Sequence, residues 1–388
     1  MFDVLIIGAG LVGASLAAAL RNSGLTCAVI DGAPPSPPQN DAWDTRIYAV
    51  SPGSQAFLES ISAWDRLDAR RMAPVHAMNI SGDQGAQLEF SAYESGAERL
   101  ATILESGALQ RALWQSLQDQ PGVQLFCPAR PERLELRADC VLLDLAGMGP
   151  VRARLLVGAD GARSWVREAA GMSVQSRPAV HSGVVANFAC EKRHRGVAFQ
   201  WFRDDGVLAW LPLPGEHFSM VWSTPPGHAE SLISLPAKEL CAEVMRAGGH
   251  ALGMIELVSA PAAFPISPAW VPHRTRPRVV LIGDAAHVVH PLAGQGVNLG
   301  FGDAAALAGI LRDPADRAAD PGDWMRLRRF ERGRAGDILA MRAVTEGLQR
   351  LFAARSETLV RTRNFGLGLT GRMPLVKNVL ARRAMGIG

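Results

Sequence analysis

The 388-residue sequence predicts an α/β chain: a Rossmann-like parallel-sheet domain, an inserted antiparallel-sheet domain and a C-terminal helical extension. Three features carry that prediction. A glycine turn joins a short apolar strand to a helix near the start. Later apolar strands run into aspartate–glycine elements. Between them lies a stretch of alternating residues divided by turn signals.

The elements follow in order. Val4–Ile7 enters Gly8-Ala9-Gly10-Leu11-Val12-Gly13, the helix-like Ala14–Asn22 follows, and Cys27–Ile30 ends at Asp31, which completes a βαβ unit. Segments 75–80 and 86–90 read as a hairpin, Leu104–Leu117 has helical spacing, and 132–136 with 140–145 reads as a second hairpin. Leu155–Gly158 and Val279–Ile282 are further buried strands. Residues 181–224 alternate as an antiparallel sheet does, with Trp201, Trp210 and Trp222 one per strand; sheet-face packing is the expected role of each, although together they could wall a pocket. Beyond Gly296 the pattern is helical. The expected division is a discontinuous nucleotide domain (1–72, 98–176, 272–345), an inserted substrate domain (73–97, 177–271) and a basic extension (346–388).

Composition narrows the class. Hydrophobic residues make up 48% and charged ones 20%, which suits a globular chain and not a disordered or fibrous one. No apolar run reaches the ~18–20 residues of a membrane span, and Val4–Leu20 lacks the basic flank of a signal peptide, so a cytoplasmic address is expected. The five cysteines lie far apart, without a C-x-x-C pair, which argues against a disulfide framework or a zinc site. From Trp324 onward, 14 Lys+Arg face 4 Asp+Glu, so the tail is +10 and the preceding residues sum to −7. Such a tail suits an anionic surface, or it is a solvated helical face.

The chemistry-bearing residues gather at strand ends. Gly8 permits the tight turn, Gly10 lets backbone approach a pyrophosphate, and Gly13 lets helix and strand pack closely. Asp31 stands where a carboxylate accepts from a ribose hydroxyl. These residues predict dinucleotide binding without choosing between NAD and FAD. There is no second glycine fingerprint and no cysteine pair. Instead come Gly158-Ala159-Asp160-Gly161 and Gly283-Asp284-Ala285-Ala286-His287, the latter continuing through His290, Pro291, Gly294, Gln295, Gly296, Val297 and Asn298. A carboxylate at a strand end can hold a ribityl hydroxyl, and a glycine-rich turn opening a helix can stabilise negative charge. His287 and His290 lack carboxylate or cysteine co-ligands at suitable spacing, so no metal site is expected.

On these residues the chain resembles the FAD-dependent aromatic hydroxylases, single-component flavoprotein monooxygenases, and within them the hydroxylases of ubiquinone biosynthesis. The resemblance spans nearly the whole chain and includes Asp44-Thr45-Arg46, Glu105 to Leu113 with Gln110, Asp160-Gly161, Trp201 to Leu213, Gly283 to Leu299, Trp324 to Arg334 and Ala384-Met385-Gly386. It implies that Gly8, Gly10, Gly13, Asp31, Arg46 and Gln110 contact FAD, that Asp160 belongs to a motif shared by FAD and NAD(P)H, and that Asp284 holds the ribityl-pyrophosphate. Gly283 and Gly294 through Asn298 would border the cofactor, with His290 and Pro291 beside the oxygen-reaction site. Asp303 would cap or pack its helix. Departures from the family pattern are Gly32, Ser106 and Gly302, where arginine, asparagine and arginine are common.

The resemblance implies hydroxylation of a polyprenylated phenol with NAD(P)H and O₂ through a flavin C4a-hydroperoxide. It also implies contact with other ubiquinone-biosynthesis proteins and peripheral attachment to the inner membrane through the basic segment, and no nucleic-acid partner. Two alternatives stay open: a same-fold flavin enzyme acting on another aromatic or prenyl substrate, and a flavin-containing assembly component of a membrane-associated complex. The stripe Met341, Val344, Leu348, Leu351 and Phe352 is expected to pack on the nucleotide domain.

Overall fold

Strands that are apolar on both faces need cover on both faces, and a parallel sheet between helices supplies it. In the computed structural model, which describes residues 1–37, 42–83, 85–289, 296–313, 319–353 and 385–386, the strands Val279–Leu281, Gly149–Gly158, Phe2–Ile7, Cys27–Ile30 and Val123–Phe126 lie side by side in that order, each pair parallel. Val4, Leu5 and Ile6 are fully buried, as are Ala28, Val29 and Ile30. The Leu11–Ala19 helix covers one face with the Ser106–Gln118 and Gly296–Leu311 helices. The Pro131–Leu136 and Val141–Leu145 strands form the expected hairpin, added antiparallel to Gly149–Gly158.

The second large sheet is antiparallel through His181–Cys190, His217–Thr224, Gly206–Leu213 and Val197–Arg203. The Ala77–Ser81 and Gln87–Ser91 hairpin extends it, with Ala77–Ser81 parallel to Val197–Arg203. Its even-numbered face, with Val184, Phe188, Phe218, Met220 and Trp222, packs against the Pro226–Ser234 and Ala237–Ala247 helices. Trp210 and Trp222 are 1% and 0% exposed there, and Trp201 stacks on Phe199 at their edge, so the tryptophans are core packing. A small sheet of Ile47–Val50, Ala101–Glu105 and Ala73–Val75 joins the two large ones, and through Leu213 and Ala198 it packs on the antiparallel sheet.

The Trp324–Ala353 helix closes the fold. It buries Leu327, Phe330, Arg334 and Ile338, at helical spacing, against the nucleotide domain. Of the expected apolar stripe, Met341 is half-buried and Val344 is 53% exposed, while the side chains of Leu348, Leu351 and Phe352 lie outside the described residues. Thr345 is buried beside them. Among the described residues no helix is long and apolar enough to cross a membrane.

Trp222→Ala should cost about 3–5 kcal/mol of stability, since it empties a fully buried site. Urea unfolding monitored by circular dichroism checks it, and a loss below ~1 kcal/mol would contradict the packing role.

Candidate functional site

The residues singled out by sequence meet along one edge of the parallel sheet. Ile7, Ile30, Gly158 and Leu281 are the last residues of four adjacent parallel strands, and the chain leaves them as Gly8, Asp31, Ala159-Asp160 and Ile282-Gly283-Asp284. In such sheets the carboxyl edge is where ligands bind.

The glycine turn is sterically determined. Gly8 has φ +100°, and a Cβ there would lie 2.4 Å from the Ala159 carbonyl; a Cβ at Gly13 would lie 1.9 Å from the Gly8 carbonyl. A Cβ on Gly10 would meet nothing within 4 Å. The first and third glycines therefore serve protein packing, while the second faces open space. No side chain caps the Leu11–Ala19 helix and no acid sits in its first turn, so its leading N–H groups and positive dipole end are available to an anion. Asp31 Oδ2 accepts from the Ala9 N–H at 2.6 Å and Oδ1 from Ala33 at 3.2 Å, which ties the acidic strand end to the turn.

Arg46, Tyr48, Ser106 and Asp284 form a second group. The Arg46 guanidinium lies 5.5 Å from the Tyr48 ring centre. Burial raises the Tyr48 pKa, against the pull of Arg46 and a hydrogen bond with Ser106. Asp284 opens to solvent yet is ringed by protein; the resulting desolvation raises its pKa, with His287 and Arg46 opposing. Arg46 is itself positioned by carboxylates: Asp44 Oδ1 accepts from its N–H at 2.9 Å, and Asp44 Oδ2 accepts from Gly107 at the start of the Ser106–Gln118 helix. Buried Glu105 accepts from Asp44 N and, through both oxygens, from Arg71, whose guanidinium covers Trp43 at 4.2 Å. Gln110 is half-buried on that helix.

Asp160 spends both oxygens locally, on Ser164 Oγ at 2.6 Å and Val166 N at 3.0 Å, and so fixes the loop into the Trp165–Ala169 helix. Arg167 donates from there to Ala285 O and Ala162 O, joining the two aspartate–glycine elements. Asn298 holds the Gly296–Leu311 helix to Ile47–Val50 and the next residue: its amide donates to Ala49 O at 2.8 Å and its Oδ1 accepts from Ser51 N at 2.9 Å. Gly296 opens that helix and Val297 is buried in the core. His290, Pro291, Gly294 and Gln295 lie outside the described residues.

Beneath this edge is a buried ionic cluster. Asp303, 1% exposed, accepts from Gly283 N at 3.1 Å and Arg334 Nε at 2.8 Å, and its Oδ2 lies 2.5 Å from His287 Nε2. Burial alone would raise its pKa; attraction to His287 and Arg334 outweighs that and holds it below the ordinary range. Sequence spacing did not point to this cluster, because its members are separated by 16 and 31 residues.

The edge thus brings together an open glycine, an uncapped helix start and a carboxylate just beyond each of two strand ends. Comparison with known proteins agrees. The FAD binding domain family matches residues 1–322, and the chain belongs to that family. It is 35% identical to the ubiquinone hydroxylase UbiL of Rhodospirillum rubrum over 99% of this chain and 89% of that one. It is 32% identical to the 3-demethoxyubiquinol 3-hydroxylase of Escherichia coli over 99% and 98%. PqsL, a probable FAD-dependent monooxygenase of Pseudomonas aeruginosa, shares the fold at TM-score 0.78 and 24% identity, over 94% of this chain and 99% of that one.

Two outcomes are expected. Gly10→Val fills the open space with a branched side chain and should abolish flavin retention in a folded protein, measured as absorbance at 450 nm per chain. Asp303→Asn takes from Arg334 its buried counter-charge, leaving it only the exposed Asp337, and should cost about 3–5 kcal/mol at neutral pH. Because the Asp303 carboxyl is depressed in the folded state, its contribution is present above its ordinary value of 3.8 and fades as pH falls through the lower folded value. The gap between wild type and variant should therefore narrow in acid, and a gap constant from pH 7 to pH 3 would contradict the ion pair.

Proposed function

We propose that this protein is an FAD-dependent monooxygenase that hydroxylates the aromatic ring of a polyprenylated phenol in ubiquinone biosynthesis, using NAD(P)H and O₂. The observation that carries the reading is the near full-length likeness to two relatives named as hydroxylases of ubiquinone and demethoxyubiquinol, on a chain whose strand ends suit a flavin dinucleotide. FAD, when bound, would supply the redox chemistry that side chains lack, hydride acceptance from NAD(P)H and activation of oxygen.

The chain's residues supply binding, orientation and exclusion of water. The Gly8–Gly13 turn and the Leu11–Ala19 helix start take the pyrophosphate, Asp31 the adenosine ribose, and Arg46 the phosphate charge on the opposite side. Asp284 holds the ribityl hydroxyls as an acceptor; burial raises its pKa, and Arg46 and His287 oppose that rise. Gly283 and the start of the Gly296–Leu311 helix border the ring end in this reading. The antiparallel sheet packs on the small sheet of 47–50, 73–75 and 101–105 through Leu211, Leu213 and Ala198, and in this reading that side would cover the ring. We retain the division into a cofactor domain (1–72, 98–176, 272–345), a substrate domain (73–97, 177–271) and a basic extension (346–388).

A polyprenylated phenol resides in the bilayer, so the enzyme meets it at the membrane surface or receives it from a partner. Basic residues near anionic lipid contribute ~1 kcal/mol each, and Arg361, Arg363, Arg372, Lys377, Arg382 and Arg383 act together in this reading.

The direct test is lipid-extract mass spectrometry of a deletion strain. An accumulated prenylated phenol one hydroxyl short of the next intermediate, cleared by the restored gene, is expected; an unchanged quinone profile would refute the assignment. In vitro, Asp284→Ala should weaken FAD binding by roughly 1–3 kcal/mol, read by flavin fluorescence titration of the apoprotein. Substituting the six basic residues by glutamine should reduce co-sedimentation with anionic vesicles at low salt. Equal sedimentation would reduce the basic segment to a solvated face.

A further inference from the structure

The Pro52–Ser60 helix has an unusual partner at its start. Proline at its first position has no N–H, the Ser51 hydroxyl accepts from Ser54 N at 3.3 Å, and the Gly53 N–H is left to find an acceptor elsewhere. It donates to the carbonyl of Met385, 3.0 Å away and near the other end of the chain. Met385 is 2% exposed, and with Pro52, Gln55, Ala56 and Glu59 it lines a surface cavity of about 270 Å³. The approach is close: a Cβ on Gly53 would lie 2.6 Å from the Gly386 carbonyl, and Gly386 itself sits at φ +67°. The contact is thus a specific fit of two glycines and one buried methionine.

The capped corner is also the one that Asn298 grips. Ser51 N donates to Asn298 Oδ1 and Ala49 O accepts from its amide, so residues 49–51 have Asn298 on one side and the Met385–Gly386 turn on the other. Asn298 lies in the first turn of the Gly296–Leu311 helix, and Phe57 and Phe301 pack between the two helices at 6.3 Å.

We propose that the Met385–Gly386 turn is a positioning element of the cofactor site: by capping the Pro52–Ser60 helix it fixes Ser51, and through Ser51 it fixes Asn298 and the helix start beside the flavin ring. The proposal rests on the flavin placement given above. Neither residue touches the reacting atoms; both act through the backbone at 49–53.

The test uses the FAD-loaded full chain and three variants, Met385→Ala, Met385→Leu and Gly53→Ala. Met385→Ala empties the buried site that seats the turn, and Gly53→Ala sets a Cβ against the Gly386 carbonyl; each should displace the cap and speed hydrogen exchange of the residue-53 amide by about fivefold. Peroxide released per NAD(P)H consumed should rise by about threefold or more, since small misplacements at a reacting centre are amplified in rate. Met385→Leu keeps volume and backbone and should restore both values. In a double-mutant cycle, Asn298→Ala combined with Met385→Ala should uncouple turnover no more than Asn298→Ala alone. Faster exchange with an unchanged peroxide ratio overturns the proposal, as do unchanged exchange in Met385→Ala or additive effects in the cycle. Should Gly53→Ala fail to fold, the methionine pair carries the test. A wrong flavin placement shows separately, as a folded Gly10→Val protein that keeps its FAD.

Discussion

The buried carboxylate of Asp303 is the constraint around which the cofactor edge is built. A charge with 1% exposure persists only if its oxygens are occupied by donors, and here Gly283 N and Arg334 donate while His287 lies within hydrogen-bond distance. Each partner belongs to a different part of the edge: a strand end, the segment after Asp284, and the long closing helix. None can shift without leaving the carboxylate short of a partner. The cluster therefore works as a register pin, and the position of Asp284 follows from it. Gly302 makes room for this arrangement, since a Cβ there would lie 2.8 Å from Arg334 Nη2.

A second pin joins the two large sheets. Asn187, fully buried in the His181–Cys190 strand, donates from its amide to Asp44 O at 3.1 Å, and Asp44 in turn holds Arg46 N and Gly107 N. One residue of the antiparallel sheet thus contacts the loop that carries Arg46. Glu105 and Arg71 brace the same loop through a charge-assisted bidentate pair, and Trp43 shields it. Both pins use polar groups in low-dielectric surroundings, where hydrogen bonds are stronger and an unpaired group is expensive. That is how loops, rather than strands, can hold binding residues in fixed places.

Much of this was legible in the sequence for a simple reason. Strands buried on both faces read as unbroken apolar runs, so 4–7, 27–30, 155–158 and 279–282 stood out and all four pair in parallel. The fifth strand, Val123–Phe126, did not; it lies at the sheet edge with Gln124 exposed, so its pattern is mixed. The glycine turn was readable because steric demand selects glycine residue by residue. The ionic cluster was not, because charge pairing across 16 and 31 residues leaves no periodic trace, and Asp303 alone looked like a helix cap or packing residue. Asp160 and Asn298 show the same limit from the other side. Both were marked by resemblance as cofactor neighbours, but their side chains are engaged with protein: Asp160 with its own loop, Asn298 with residues 49 and 51. A motif records that a residue type is required at a place, and the requirement can be met through the scaffold as well as through the ligand.

The C-terminal charge takes on a different meaning once Met385 is placed. Residues 354–384 contain seven Lys+Arg and one acid, and the chain on either side of them is anchored, by the Trp324–Ala353 helix before and the Met385 carbonyl after. Removing the whole segment would strip away its charge and the helix cap together, and a lipid effect could not be told from a cofactor effect. Neutralising the arginines and lysine leaves Met385 in place, while changing Met385 leaves the charge in place. The two changes should thus separate cleanly if surface attraction belongs to residues 354–384 and cofactor positioning to the turn that follows, even though one continuous chain carries both.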